Sequence, residues 1–125
     1  MLIKIDLLTL ISEKDLVTAY FFDKDNKIIL AQNYFDQRQP NLKSLYDLIC
    51  ALEAEVLYIE LGKEGNEAQL HLLNKDREVV KIEISLKTAL CFSGVYEYPI
   101  FIQHELLYKD GIMVTKELIE GTLGY

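Results

Sequence analysis

The sequence predicts an α+β fold: a mostly antiparallel, curled or barrel-like sheet on which two main helices pack. Short apolar stretches rich in β-branched residues alternate with turn residues, which is the pattern of strands joined by hairpins. Two longer segments repeat their apolar residues at helical spacing. The resulting order is three strands, a helix, three strands, a helix, a strand and a helix. Hairpins with helices packed on them indicate α+β rather than a doubly wound parallel sheet.

The N-terminal strands are predicted from their apolar and β-branched content. Strands are expected over 2–11, 16–23 and 28–32, and the last two form a hairpin across the turn residues 24–27. Asp and Asn in that turn tolerate a left-handed backbone. The polar segment 33–40, which ends in a proline, is predicted to be a loop.

Two helices are predicted from apolar spacing and from cap residues. Asn41 can cap the first helix, and Ser85 can cap the second. Gly94 suits the C-terminal end of the second helix. The apolar residues of the first are Leu42, Leu45, Leu48, Ile49 and Leu52, and those of the second are Leu86, Ala89, Leu90 and Phe92.

Between the two helices the sequence predicts a meander, with strands over 55–61, 68–73 and 78–84 joined by turns at 63–66 and 75–77. After the second helix, Pro99 opens a strand over 100–102, and a short helix over 104–110 ends at Gly111. Thr115 is expected to cap a last helical turn through 120, and 121–125 to fray. We expect one domain over 1–125, with 113–125 as a C-terminal extension.

Composition and charge restrict the classes of function. Half of the 125 residues are hydrophobic, so a full core is expected. The formal charge is −7, and the only arginines are Arg38 and Arg77, so nucleic acid is a possible but disfavoured partner. With no leader-like segment and no apolar run of about 20 residues, we expect a cytoplasmic protein without a membrane partner. Cys50 and Cys91 are accordingly expected to be reduced, buried thiols.

Alternation along the meander predicts which side chains face the helices. The set expected to face the helices comprises Leu57, Ile59, Leu61, Leu70, Leu72, Val80, Ile82 and Ile84. Face matching fixes the register. The outer face then has two cross-strand rows, Tyr58–His71–Lys81 and Glu60–Gln69–Glu83.

This outer face is a candidate site formed by His71, Glu60, Glu83 and Lys81, and the alternative is an ordinary solvated sheet face. Glu60 and Glu83 are predicted to lie about 10 Å apart, which is too far for one divalent ion to bridge directly. Val56, Leu73 and Val79 fall on the same face, where they can cover a neighbouring element or a second subunit.

Other motifs give no strong signal. The sequence contains no glycine-rich phosphate loop, no His-Glu-x-x-His and no Gly-x-Ser-x-Gly, and it predicts no metal site. His104 and Glu105 diverge on a helix start, and Asp23, Asp25 and Asp36 suit turns. Tyr96 and Tyr98 form either a contact patch or the edge of the core.

The stretch 45–112 resembles the bifunctional nuclease domain family. In that family a helix usually starts His-Asp-Leu-Leu and runs on to Gly-Ala-x-Val, and the similar segments here are 46–49 and 53–56. The family's second helix usually follows Ala-Arg-Pro-Ser-Asp-Ala, where this chain has 84–89. An Ala-Pro-Ile-Tyr-Val strand and a Glu-Glu-Val-Leu-like helix come next in the family, and 98–102 and 104–107 are similar to them.

The resemblance implies hydrolysis of DNA and RNA phosphodiesters, assisted by a divalent metal ion that the residues do not identify. Of the usual polar positions, this chain keeps Asp47. It has Tyr46 in place of His, and Ser85, Lys87 and Thr88 where Arg, Ser and Asp are usual.

Two interpretations follow. In the first, the chain is a divergent nuclease with Asp47, Ser85 and Thr88 as catalytic residues and Lys87 as a phosphate contact at a helix N-terminus. For Lys87 the alternative is an exposed first-turn residue. In the second, the chain is a non-catalytic module on the same scaffold that forms homo-oligomers or binds a partner. Replacement of the usual His, Arg and Asp, together with the acidic charge, favours the second mechanistically.

Overall fold

An eight-stranded, mostly antiparallel sheet with three helices forms the fold, which confirms the predicted α+β class. The computed structural model of the chain describes residues 1–35, 41–62 and 67–115. The strands are β1 (Leu2–Glu13), β2 (Leu16–Asp23), β3 (Ile28–Phe35), β4 (Glu55–Leu61), β5 (Glu67–Leu73), β6 (Val79–Ser85), β7 (Ile100–Gln103) and β8 (Ile112–Met113). The helices are α1 (Leu42–Ala51), α2 (Leu86–Tyr96) and α3 (His104–Asp110).

Two three-stranded meanders are joined side by side through a short central strand. The order across the sheet is β6-β5-β4-β7-β1-β2-β3-β8. β7 pairs in antiparallel with β1 and in parallel with β4. Each meander forms through local hairpins, so most of the pairing follows from short connections.

The sheet is open but strongly curled. Nε2 of Gln32 in β3 donates to the carbonyl oxygen of Gly62, just after β4, at 3.4 Å. In a flat sheet the four strand spacings between β3 and β4 would separate them by roughly 19 Å. The contact therefore requires the sheet to curve around its inner face, on which the core lies. Its largest fully buried side chains are Phe21, Phe92, Leu30, Ile59, Leu61, Leu70, Leu86, Ile102 and Leu107.

Local signals place both main helices as predicted. The Asn41 side chain accepts a hydrogen bond from the Ser44 amide, and Ser85 accepts one from the Thr88 amide. Each cap satisfies an N–H that the first turn leaves unpaired. The amide of Gly111 donates to the Leu107 carbonyl, which ends α3 as expected.

Three predicted boundaries are wrong by two or more residues. The segment 33–35 continues β3, pairing with β2, whereas the rest of the expected loop, 36–40, lies outside the described residues. Gly94 does not end α2, which continues to Tyr96 and stops at Glu97 in a left-handed conformation with φ of 60°. β1 extends to Glu13, because β2 continues to pair with it. The helical turn expected after Thr115 and the tail 121–125 also lie outside the described residues.

The predicted register of the central meander is confirmed, but two details of its faces are wrong. Tyr58 pairs with His71, which pairs with Lys81, and Gln69 lies between Glu60 and Glu83. A β-bulge between Val56 and Tyr58 turns Val56 inward, where it packs against the core. Such a bulge shifts side chains to the other face of the strand.

Val80 and Ile82 were expected to be covered by the helices, yet they remain 40% and 36% exposed. Both belong to β6, the terminal strand of the sheet. Among the described residues no strand lies on the outer side of β6, so these two side chains keep contact with water.

None of the described helices has the length and hydropathy of a membrane-spanning helix.

Candidate functional site

A pair formed by a buried histidine and a partly exposed glutamate lies on the outer face of the central meander. Nε2 of His71 is 3.0 Å from Oε1 of Glu60. The two residues come from adjacent strands. His71 pairs directly with Tyr58, and Glu60 is its diagonal neighbour on the same face. The second carboxylate oxygen of Glu60 accepts a hydrogen bond from Nε2 of Gln103 at 3.4 Å, so the polar network spans β5, β4 and β7.

Aromatic rings cover the histidine of this pair. The ring of Tyr58 stacks on His71 with centroids 4.2 Å apart, and Phe101 meets Tyr58 edge-on at 5.2 Å. His71 is consequently only 2% exposed, so the interpretation of this face as fully solvated is wrong at this residue. Among the described residues, Nδ1 of His71 has no hydrogen-bond partner.

The same environment raises the pKa of Tyr58. Burial raises the pKa of its phenol above the ordinary value of 10.0, and the nearby Glu60 carboxylate raises this pKa further. Both effects have the same sign because a phenolate is disfavoured by desolvation and by a neighbouring negative charge.

An acid-lined cavity of about 540 Å³ opens beside the pair. Glu60 and Glu83, predicted on this face, both line it, so the structure brings them to one cavity. Lys81 does not line the cavity. It lies on β6, directly opposite His71 of β5. Two further carboxylates, Glu67 and Glu105, complete an acidic wall that sequence reasoning missed, because they come from a strand end and a helix start. Such a wall repels phosphate groups.

The part of the chain that the structure describes shows no group of three or more His, Cys, Asp or Glu side chains able to hold a metal ion. A divalent metal, which the nuclease interpretation would use, therefore has no ligand set among these residues.

Of the residues predicted from the family resemblance, Ser85 and Thr88 bond to each other. The Ser85 hydroxyl donates to Thr88 Oγ1 at 2.8 Å and accepts from the Thr88 amide at 3.1 Å. Both hydroxyls thus serve the cap of α2. Asp47 is exposed on α1 and makes no hydrogen bond or ion pair with either of them in the described structure.

Lys87 is buried rather than exposed, which corrects the expectation of a solvated first-turn residue. Only 9% of it is accessible. It follows Leu86, which is completely buried where α2 leaves β6 and turns over the sheet. A side chain in this position offers little surface to a phosphate.

Tyr46, which stands where the resemblance would place a histidine, belongs to an aromatic cluster. Tyr46 stacks on Tyr96 with ring centroids 4.4 Å apart and planes at 4°, which fastens α1 to the last turn of α2. Phe92 and Tyr98 extend the cluster. A hydrogen bond with Cys50 is the main cause that raises the pKa of Tyr46.

The two cysteines are free, but their predicted burial is wrong. Cys50 is exposed, and Cys91 is partly exposed. In α1 the buried position is Ile49, and a rotation of about 100° per residue turns Cys50 away from the sheet.

The terminal strand β6 presents an uncovered apolar edge. Val79, Val80 and Ile82 are 58%, 40% and 36% exposed, and within residues 1–35, 41–62 and 67–115 β6 pairs only with β5. Val79 was expected on the outer face and Val80 on the inner one, so both faces of the strand carry exposed apolar groups. An edge of this kind is a template for strand pairing.

Comparison with known proteins assigns no relative to this chain: no protein-family model matches it, and no curated protein is significantly similar to it. The likeness to the bifunctional nuclease family thus remains a prediction from the sequence.

Proposed function

We propose that this domain is a non-catalytic homo-oligomeric module. The observation that carries the proposal is the outer edge of β6, where no strand of the described part of the chain pairs and apolar side chains are exposed on both faces. Proteins usually protect sheet edges with charged side chains, proline, bulges or a covering element, and β6 carries the exposed charges of Lys81 and Glu83. Over Val79–Ser85 the pairing with β5 is continuous, without a proline or a bulge. Pairing with another chain would cover both the backbone groups and the apolar side chains.

Phosphodiester hydrolysis has less support. It needs a group that activates water and positive charge that holds the phosphate. The hydroxyls of Ser85 and Thr88 are engaged in a helix cap, and Lys87 is buried. The cavity beside His71 is lined by carboxylates, which disfavour a phosphodiester.

We also propose a cytoplasmic location. Cys50 and Cys91 are both free, and Cys50 is exposed, as suits a compartment that keeps thiols reduced. Fractionation of cells that express a tagged chain tests this, and recovery from a secreted or periplasmic fraction would contradict it.

Light scattering coupled to size-exclusion chromatography tests self-association. The wild type is expected to give a mass at least twice the 14.5 kDa of the chain, and the mass should fall on dilution. Ile82→Lys should shift the protein to a monomer, because a second copy would then have to bury the new charge. Ile112→Lys is the matched control, since Ile112 is an exposed isoleucine on the opposite terminal strand, β8. A wild type that is monomeric at every concentration would contradict the proposal.

A further inference from the structure

We infer that two copies of the chain join their β6 strands in antiparallel about a twofold axis at Ile82, so that the partner's Lys81 lies opposite Glu83 at the rim of the acid-lined cavity. This inference rests on the proposed self-association and adds to it the interface, the register and a residue that each copy supplies to the other.

The first argument is the continuity of the two sheet faces. A twofold axis perpendicular to the sheet places residues at equal distances from Ile82 opposite each other, and opposed residues in antiparallel strands share a face. Val80 therefore meets the partner's Ile84, and Ile82 meets its own copy. The inner apolar row, still partly exposed in one copy, continues into the inner row of the second copy.

Charge selects this register among those that keep the faces continuous. An axis at Lys81 would oppose two lysines, and an axis at Glu83 would oppose two glutamates. Only the axis at Ile82 sets Lys81 against the partner's Glu83, and the symmetry gives this pair twice. Opposite charges directly across two strands stabilise a sheet, whereas like charges destabilise it.

The pairing also changes the acid-lined cavity. Glu83 belongs to its lining together with Glu60, Glu67 and Glu105. Lys81 of the same copy does not belong to the lining. In the inferred dimer the partner's Lys81 brings a positive charge to the rim, so the cavity of each copy is completed by the other.

Cysteine cross-linking tests the register directly. In a Cys50→Ser background, which removes the exposed native thiol, Ile82→Cys should form a covalent dimer under mild oxidation. Opposed residues of antiparallel strands have Cα atoms about 4.5–5.5 Å apart, which is within the range that a disulfide spans. Ile112→Cys in the same background is the control and should stay uncross-linked. If light scattering shows a dimer but Ile82→Cys does not cross-link, the register is wrong while the proposed self-association stands.

Charge reversal tests the ion pair. Lys81→Glu and Glu83→Lys should each raise the dimer dissociation constant about 10-fold, since each turns two attractions into two repulsions. The double variant Lys81→Glu/Glu83→Lys restores opposite charges and should return to within about threefold of the wild type. Additive weakening in the double variant would overturn the inferred pair. A strictly monomeric wild type would instead overturn the proposed function, and the inference would fall with it.

Discussion

The Nε2 atom of His71 lies 3.0 Å from Oε1 of Glu60, and the pair joins two strands beneath the ring of Tyr58. His71 is 2% exposed and its Nδ1 has no hydrogen-bond partner among the described residues, so its ring depends on the contact of Nε2 with Glu60. Glu60→Ala is therefore expected to lower the free energy of unfolding by about 1–3 kcal/mol, the cost of a buried polar group left unsatisfied. Denaturant unfolding at neutral pH, in the Ile82→Lys background that is expected to be monomeric, measures this change.

The matched control for this pair is Glu55→Ala, which removes an exposed glutamate from the same strand. Its effect should stay within about 0.5 kcal/mol, as for most surface substitutions. Glu60→Gln, which keeps an oxygen within reach of His71, should fall between the two. Equal destabilisation by the Glu60 and Glu55 variants would show that the His71 contact contributes nothing.

The raised pKa of Tyr58 predicts a loss of stability in alkali. The phenol ionises at a higher pH in the folded chain than at its ordinary value of 10.0. Below pH 10 both the folded and the unfolded phenol stay protonated, so this contribution is complete. As the pH rises from there towards the folded pKa, the unfolded state loses its proton first, and the free energy of unfolding falls.

Tyr58→Phe removes this ionisation and keeps the ring. The free energy of unfolding of the wild type, measured relative to that of Tyr58→Phe, should therefore fall above about pH 10. Urea unfolding of both proteins at a series of alkaline pH values measures the difference. Parallel pH profiles for the two proteins would contradict the raised pKa.

Two glycines predict opposite responses to the same substitution. A Cβ on Gly94 would meet open space, and this residue lies inside α2. Gly94→Ala should stabilise the protein by about 0.5–1 kcal/mol, because alanine loses less backbone freedom in a helix.

A Cβ on Gly111 would collide with Ile28 Cγ2 and the Leu107 carbonyl oxygen. Gly111→Ala should destabilise by about 1–3 kcal/mol through overpacking. Thermal unfolding separates these signs: stabilisation by Gly111→Ala would refute the close packing at Gly111, and destabilisation by Gly94→Ala would contradict the prediction for α2.

The fold was predictable where local signals and face alternation agree. Tyr58 opposite His71 followed from matching apolar faces across two turns, and the caps at Asn41 and Ser85 followed from residue type. Tertiary contacts overrode the sequence signal at Gly94. The stack of Tyr96 on Tyr46 accompanies two more helical residues after the glycine. No alternation rule locates the bulge before Tyr58, since Val56 and Leu57 are both apolar.

The candidate site was predictable only in part. The shared face of His71 and Glu60 followed from strand periodicity, but the covering of His71 by Tyr58 and Phe101 depends on β7, which inserts beside β4 from a distant part of the chain. Glu105 reaches the cavity for the same long-range reason. The residues chosen by family resemblance were selected by their position in the sequence alone. In the structure, Ser85 and Thr88 form the cap of a helix. A motif position thus does not specify a chemical role when a local structural use competes for the same atoms.

The last prediction concerns nucleic-acid cleavage. Purified protein is expected to leave labelled single- and double-stranded DNA and RNA intact in the presence of Mg²⁺, Mn²⁺ or Zn²⁺. The physical reason is that carboxylates line the cavity and that no metal ligand set occurs among the described residues. Asp47→Ala and Lys87→Ala serve as matched variants of the resemblance-derived positions. Cleavage by the wild type that either variant abolishes would contradict the non-catalytic proposal. Equal cleavage by all three proteins would instead identify a contaminating nuclease, because a substitution in a true site must change the rate.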